Sequence, residues 1–326
     1  LASRQWRPRG RLRAGATMFS PPAVALPAGL VYGTFGQPYT EPASVTACHA
    51  DHGDFTESCE QPGSYLKSVV AFDLKTGTPQ WSYRVQGHAP WLQACGNQPP
   101  TVTWCAPESD GEKWDLGGSG VNVMRLWMDG HWRDVVGIGA KSGVYTVLDA
   151  RSGEFIWNTL IGPGGDQGGM EWGTAFDGNR IYASITNHHH IPYRLTENGI
   201  LTNTTVTGGS WAALDPITGT ILWQTADPQV ETLPGVGVVG VWNLAPLSVA
   251  NDVVYAASMA KLPIQKQMFA LDAATGAILW QFGAGSSVNS GPAIANGTVY
   301  WGSGYSRSGV EGSGNNRLYA FSIDGR

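Results

Sequence analysis

Three kinds of side chain in this sequence could do chemistry, and most of them stand in its polar inserts. Carboxylates occur at Asp115, within Glu112-Lys113-Trp114-Asp115-Leu116-Gly117, and at Asp166 and Glu171 in and just after a glycine-rich run. A carboxylate beside a bound substrate can take a proton as a general base. By type and setting alone, a turn cap after a polar insert is the favoured reading of Asp115. Lys141, within Gly139-Ala140-Lys141-Ser142-Gly143, is either a fixed cation or an exposed turn lysine. Cys48, Cys59, Cys95 and Cys105 allow three pairings. Two local bridges, Cys48–Cys59 and Cys95–Cys105, would each staple a long insert and imply an oxidising compartment, periplasmic or secreted. None of the four has a zinc or haem-attachment spacing.

Other groupings offer less. His188-His189-His190 are consecutive, and neighbours on an extended chain point to opposite faces, so one tridentate metal site is not expected. The run 162–169 is glycine-rich but lacks the following helix and Lys-Ser/Thr of a phosphate loop. It predicts close backbone turns instead. No Ser-His-Asp arrangement can be argued.

The elements that must position these residues are set by a pattern occurring four times: 71–81 (AFDLKTGTPQW), 147–157 (VLDARSGEFIW), 213–223 (ALDPITGTILW) and 270–280 (ALDAATGAILW). In each, Asp is followed at +3 by Thr or Ser, at +4 by Gly and at +8 by Trp. Apolar residues before the Asp make a strand. The Asp and Thr/Ser side chains bond nearby amides and hold a tight turn, Gly supplies a positive φ, and the returning strand ends in a large apolar wedge. A hairpin that cannot bury its own face predicts stacked units sharing a continuous core.

The motif aspartates, Asp73, Asp149, Asp215 and Asp272, are 76, 66 and 57 residues apart. A four-stranded antiparallel blade takes about 40–50 residues, so each unit is a blade plus inserts, and the chain predicts about five blades. Further strands are expected at 22–25, 30–35, 121–128, 134–138, 180–185, 247–249, 253–258, 291–295, 298–302 and 318–323. The fifth unit stops without a returning Trp strand. Residues 1–14 form an Arg-rich start, the end of a truncated blade, and 15–326 are propeller blades. The expected class is therefore all-β, a propeller of four-stranded antiparallel blades forming part of a seven- or eight-bladed ring. Charged residues make up only 14% and the net charge is −5, which excludes a basic nucleic-acid surface. No apolar run is long enough to span a bilayer as a helix.

The repeat resembles the tryptophan-docking motif of propellers that bind pyrroloquinoline quinone (PQQ). The segments 30–39, Lys113-Trp114-Asp115, Gly139–Gly143 and the run to Trp172-Gly173 follow in the same order as in that family. Over 15–326 the chain is similar to polyvinyl-alcohol dehydrogenase-like quinoproteins, relatives of PQQ-dependent methanol and ethanol dehydrogenases. The resemblance implies oxidation of an alcohol by hydride transfer to PQQ, with Asp115 as general base and metal ligand. Lys141 would face the quinone oxygen. Phe19 would stack on the cofactor where the family has Trp, and Trp172, Trp242 and Asn243 would line it, inter-blade packing being the alternative for each Trp. Gln37 takes the place of an Asn metal ligand, and Gly117, where lanthanide enzymes carry a second Asp, implies calcium. The family's Glu ligand comes from an earlier blade with no counterpart in this chain. Electrons would pass to a separate cytochrome or quinone. The alternative function is a non-catalytic propeller used as a binding or assembly scaffold.

Overall fold

The computed structural model describes residues 16–36, 42–52, 59, 63–85, 116, 118–165, 167–307 and 311–322. Four antiparallel four-stranded sheets follow one another along the chain, and a three-stranded sheet closes it. Blade one comprises Ala23–Ala25, Leu30–Phe35, Ser68–Asp73 and Pro79–Arg84. Blade two comprises Val121–Met128, His131–Gly139, Val144–Asp149 and Phe155–Leu160. Blade three is Ala175–Phe176, Ile181–Ile185, Ser210–Leu214 and Ile221–Ala226. Blade four is Ser248–Ala250, Val253–Ala257, Met268–Asp272 and Ile278–Phe282. Blade five has Ala293–Ala295, Thr298–Ser303 and Arg317–Ser322. The expected propeller blades are present, and the expected strands differ from these bounds by at most a few residues.

No single core holds them. Alternation along each strand sends successive side chains to opposite interfaces. Tyr145 and Val147 pack with Ile181, Ala183 and Ile185 of blade three, whereas Leu148 packs with Tyr32, Val69 and Ala71 of blade one. Likewise Tyr182 joins Val254, Ala256 and Phe269 of blade four, and Ala257 and Met268 join Val299 and Trp301 of blade five. Blades two, three and four are thus each one wall of two apolar layers.

The repeated motif fastens these layers. Asp73, Asp149, Asp215 and Asp272 each accept from the amides two and three residues on and from the Thr or Ser hydroxyl at +3, at 2.8–3.1 Å. Those bonds favour the ionised carboxylate and hold Asp73 and Asp272 below the ordinary range. A one-residue register shift recurs in all four copies, setting Trp81, Trp157, Trp223 and Trp280 opposite the residue two before the Asp. Three of the indoles then cross to the next blade. Trp81 Nε1 donates to Ala150 O (3.1 Å), Trp157 to Pro216 O (3.2 Å) and Trp223 to Ala273 O (3.0 Å). Each ring lies on the glycine of the next copy. A Cβ at Gly219, for instance, would stand 2.6 Å from the Trp157 ring, and its φ is +74°. The motif glycine is therefore both a turn residue and a flat seat. Trp280 meets no such seat among the described residues and packs instead on Phe282 and Phe321.

The inserts contain structure that the sequence analysis did not assign. A helix occupies Ala43–His52 in the first insert. Hairpins form at Tyr193–Glu197 with Ile200–Val206, and at Val230–Leu233 with Gly237–Gly240. The first hairpin had a legible signal: Asn198-Gly199 takes two successive positive φ angles, 49° and 74°, the turn that Asn-Gly favours. Cys48 and Cys59 form a disulfide, one of the two local bridges expected. Cys95 and Cys105 lie outside the described residues, as does the Arg-rich start.

Gly219→Ala should lower stability by roughly 2–4 kcal/mol, because a positive-φ penalty adds to displacement of an inter-blade wedge. Gly297→Ala, at φ +72° with open space around it, should cost only about 1 kcal/mol. Paired urea titrations check this, and equal losses would show that the seat contributes nothing.

Candidate functional site

Antiparallel order places the ends of the blades in two groups. The motif turns join third to fourth strands at one end. At the other end lie the segments leading into each first strand and the turns joining second to third strands. Phe19, Trp172, Trp242 and Asn243 are on lead-in segments, and Lys141 is on a second-to-third turn. All five therefore belong to the end opposite the docking turns.

Phe19 and Trp172 are brought together. Both line a cavity of about 230 Å³ whose wall also includes Gly120, Asn122, Thr174 and Pro246. Both residues are partly exposed, 47% for Phe19 and 39% for Trp172. Asn122 Nδ2 donates to Thr174 Oγ1 (2.6 Å) and to Tyr145 Oη (3.2 Å), fixing the polar side of the wall. Burial pushes the Tyr145 hydroxyl up to about 12. Behind the cavity a buried hydroxyl node joins three blades. Thr34 Oγ1 and Ser20 Oγ both donate to Ser119 O, at 2.7 and 3.2 Å, and Ser119 Oγ donates to Met170 O at 3.0 Å.

Lys141 is not an exposed turn lysine. Its Nζ lies 3.5 Å from Glu171 Oε1, and the two side chains are 12% and 11% exposed. Glu171 adjoins Trp172, so the pair connects the cation to the cavity wall. The glycine-rich run makes this approach possible. A Cβ on Gly169 (φ +56°) would meet Lys141 O and Gly143 N at 2.4 Å. Gly165 N also donates to Lys141 O at 3.1 Å. The run thus makes close backbone turns and lies directly against the lysine turn.

Trp242 and Asn243 lie elsewhere, in the next interface. Trp242 is 3% exposed among Val241, Leu244, Met259 and Ala260, with His188 edge-on at 4.8 Å. Asn243 is fully buried. With its amide oriented to satisfy its neighbours, it donates to Asp227 Oδ2 (2.6 Å) and Trp242 O (3.2 Å) and accepts from Trp211 Nε1 (3.2 Å). Asp227 escaped the sequence analysis, and an Asp closing an apolar strand gave no distinctive signal. Burial pushes its carboxyl up to about 7, against hydrogen bonds from Ser258 and the Gln229 amide that favour the ionised form.

The three histidines do not all point apart: the His188 and His189 rings meet edge to face at 5.3 Å. His190 Nδ1 lies 3.0 Å from Gly240 O, and His189 packs against Gly165. Among the described residues the grouping with metal-ligand spacing is Cys48, His52 and Cys59, whose cysteines are joined to each other. Asp115, Gln37 and Asp166 lie outside the described residues.

The architecture is that of a tryptophan-docked β-propeller. Residues 207–326 match a family model described as outer membrane protein assembly factor BamB. The chain is 27% identical over 354 aligned positions to a polyvinylalcohol dehydrogenase of Pseudomonas sp., covering 100% of this chain and 46% of the relative. It is 29% identical to one from Sphingopyxis sp. (strain 113P3), covering 79% and 40%. The chain thus spans about half the length of the curated relatives it matches. Among solved structures, the quinohemoprotein alcohol dehydrogenase of Comamonas testosteroni superposes with a TM-score of 0.65 at 17% identity, over 96% of this chain and 49% of that one. A europium-containing methanol dehydrogenase gives 0.52 at 14% identity, over 89% and 51%. These likenesses establish the propeller fold. Together with the curated relatives they make the chain similar to PQQ-dependent alcohol dehydrogenases, in agreement with the resemblance read from the sequence. Within that group its curated relatives are polyvinyl alcohol dehydrogenases.

Two measurements probe the site without a ligand. A double-mutant cycle of Lys141→Met and Glu171→Gln should give a coupling of about 1–3 kcal/mol, as expected for a mostly buried pair. The exposed Arg125–Asp134 pair at 3.8 Å should give under about 0.5 kcal/mol. Equal couplings would place Lys141 effectively in solvent. The folded value of Asp227 lies above that of an unfolded Asp, so its contribution is complete below about pH 4 and declines as pH rises through 7. The stability of the parent relative to Asp227→Asn should therefore fall by up to about 4 kcal/mol between pH 4 and pH 8. A parallel decline in both proteins would contradict the assignment.

Proposed function

We propose that the full-length protein containing this chain is a PQQ-dependent oxidoreductase acting on an alcohol, polyvinyl alcohol or another primary or secondary alcohol. The observation that carries this reading is the cavity between Phe19 and Trp172, with Lys141 held behind its wall by Glu171. The residues fit a planar, anionic, quinone-bearing ring system. Two partly exposed aromatic rings offer faces for stacking, Gly120 leaves the wall open with no heavy atom within 4 Å of where a Cβ would stand, and a mostly buried cation lies close by. When bound, PQQ supplies an electrophilic carbonyl that accepts the hydride from the carbinol carbon.

The chain's own residues bind, orient and move a proton. Phe19 and Trp172 hold the ring system flat. Lys141 presents positive charge toward the oxygen that gains electron density, a fixed charge that costs no reorganisation during reaction. Asp115 takes the hydroxyl proton and with Gln37 offers oxygen ligands suited to calcium, which would act as a Lewis acid. Trp242 and Asn243, buried in the next interface, sit at the same end of the propeller. Electrons leave for a separate cytochrome or quinone. The Cys48–Cys59 bridge supports a periplasmic or secreted location. The match of 207–326 to an assembly-factor model favours a second reading, a propeller serving as a binding scaffold.

Adding PQQ and calcium to the full-length protein and following dye reduction with an alcohol separates the two. We expect cofactor-dependent reduction, its loss by at least roughly 100-fold in Asp115→Asn, and quinone binding largely retained in that variant. Trp172→Ala should weaken quinone binding. No reduction in the loaded parent would favour the scaffold, and full turnover in Asp115→Asn would remove Asp115 as the base.

A further inference from the structure

Asp227 is a buried acid that the proposed chemistry does not use. It follows the outer strand of blade three and is 6% exposed. Its Oδ1 accepts from Gln229 N at 2.9 Å, and its Oδ2 meets the Asn243 amide at 2.6 Å. Ser258, fully buried at the end of the second strand of blade four, bonds the same carboxyl. The Asp227 backbone N–H donates to Gly209 O at 3.0 Å. The carboxyl therefore stands where the chain leaves blade three, where it leads into blade four, and where the second strand of blade four ends. Asn243 N donates to Thr186 O, and Met259 N to Trp242 O, so the same step is tied to both blades.

We propose that Asp227 is the positioning residue for the Trp242–Asn243 step, and that gain or loss of its proton changes how firmly Trp242 is held at the site end of the propeller. With the proton, the carboxyl donates to Ser258, whose hydroxyl turns to accept, while Gln229 and Asn243 still donate to it. All partners are then satisfied with no buried charge. Without the proton, the carboxylate accepts from all three but carries charge in the interior. Burial, Ser258 and Gln229 are the influences that set its titration, and they include no cation. A buried charge held only by neutral donors is costly, and loosening the step to admit water relieves that cost. The other titratable groups near the step are His188, against Trp242, and Glu231 on the following hairpin, which pairs with Lys261 and His190.

The inference deepens the proposed function by saying how the interface next to its site is held, but its test needs no quinone and stands apart from catalysis. The protein is labelled with 5-fluorotryptophan, its Trp242 and Trp211 resonances are assigned with Trp242→Phe and Trp211→Phe, and 19F spectra are followed from roughly pH 5.5 to 8.5. The two resonances should move together with a midpoint near 7. In Asp227→Asn, which has no titrating proton at this position, neither resonance should shift across this pH range. Ser258→Ala, which removes a donor to the ionised form, should raise the midpoint. Resonances that still titrate in Asp227→Asn would assign the change to His188 and overturn the proposal. Resonances that do not move in the parent would overturn it equally.

Discussion

A tryptophan ring lying on a glycine of the next sheet is the contact on which this structure depends. A single blade has two apolar faces and cannot bury either alone. Trp81, Trp157 and Trp223 each cross an interface, donate one hydrogen bond to a backbone carbonyl and cover a motif glycine. A buried indole contributes about 3 kcal/mol and its bond about 1 kcal/mol. The rigid geometry matters as much as the energy. The register shift at the same place in all four copies aims each ring, and the Asp-capped turn holds each seat. Strand alternation then fills the rest of every interface.

That fastening sits at one end, which leaves the opposite end to be joined by different means. There the blades are pinned by buried hydroxyl and amide groups. The Thr34, Ser20 and Ser119 node joins the first three blades, and the Asp227, Asn243 and Ser258 cluster joins the third to the fourth. Polar pins can hold backbone segments apart by a fixed amount, where an apolar layer would close on itself. The lead-in segments carrying Phe19 and Trp172 line a cavity, and Glu171, next in sequence to Trp172, pairs with Lys141.

How much of this was legible in the sequence follows from the same division. The docking end is local: Asp, Thr, Gly and Trp at fixed offsets declare a turn, a seat and a wedge, and the blades follow from counting copies. Hydrophobic runs located the strands because each interface needs alternating apolar faces. The site end is assembled from different segments of the chain, such as Asn122 with Thr174 and Lys141 with Glu171, and no local pattern announces such pairs. Glu171 could be named as a carboxylate near the right place, but its pairing with Lys141 depends on how the glycine-rich run folds back. Asp227 was invisible because burial, which gives it its character, is a property of three segments at once. Asn243 could be placed on a lead-in segment, but its commitment to Asp227 and Trp211 could not be read. The hairpin at Asn198-Gly199 was legible and went unassigned within a polar insert.

The central claim is that the end opposite the tryptophan-docking turns holds a planar quinone between Phe19 and Trp172. A structure of the full-length protein equilibrated with PQQ tests it most directly. The account requires ring density against both aromatic faces with Lys141 nearby. Density at the docking end, or a cavity between Phe19 and Trp172 that stays empty at saturating quinone, would contradict it.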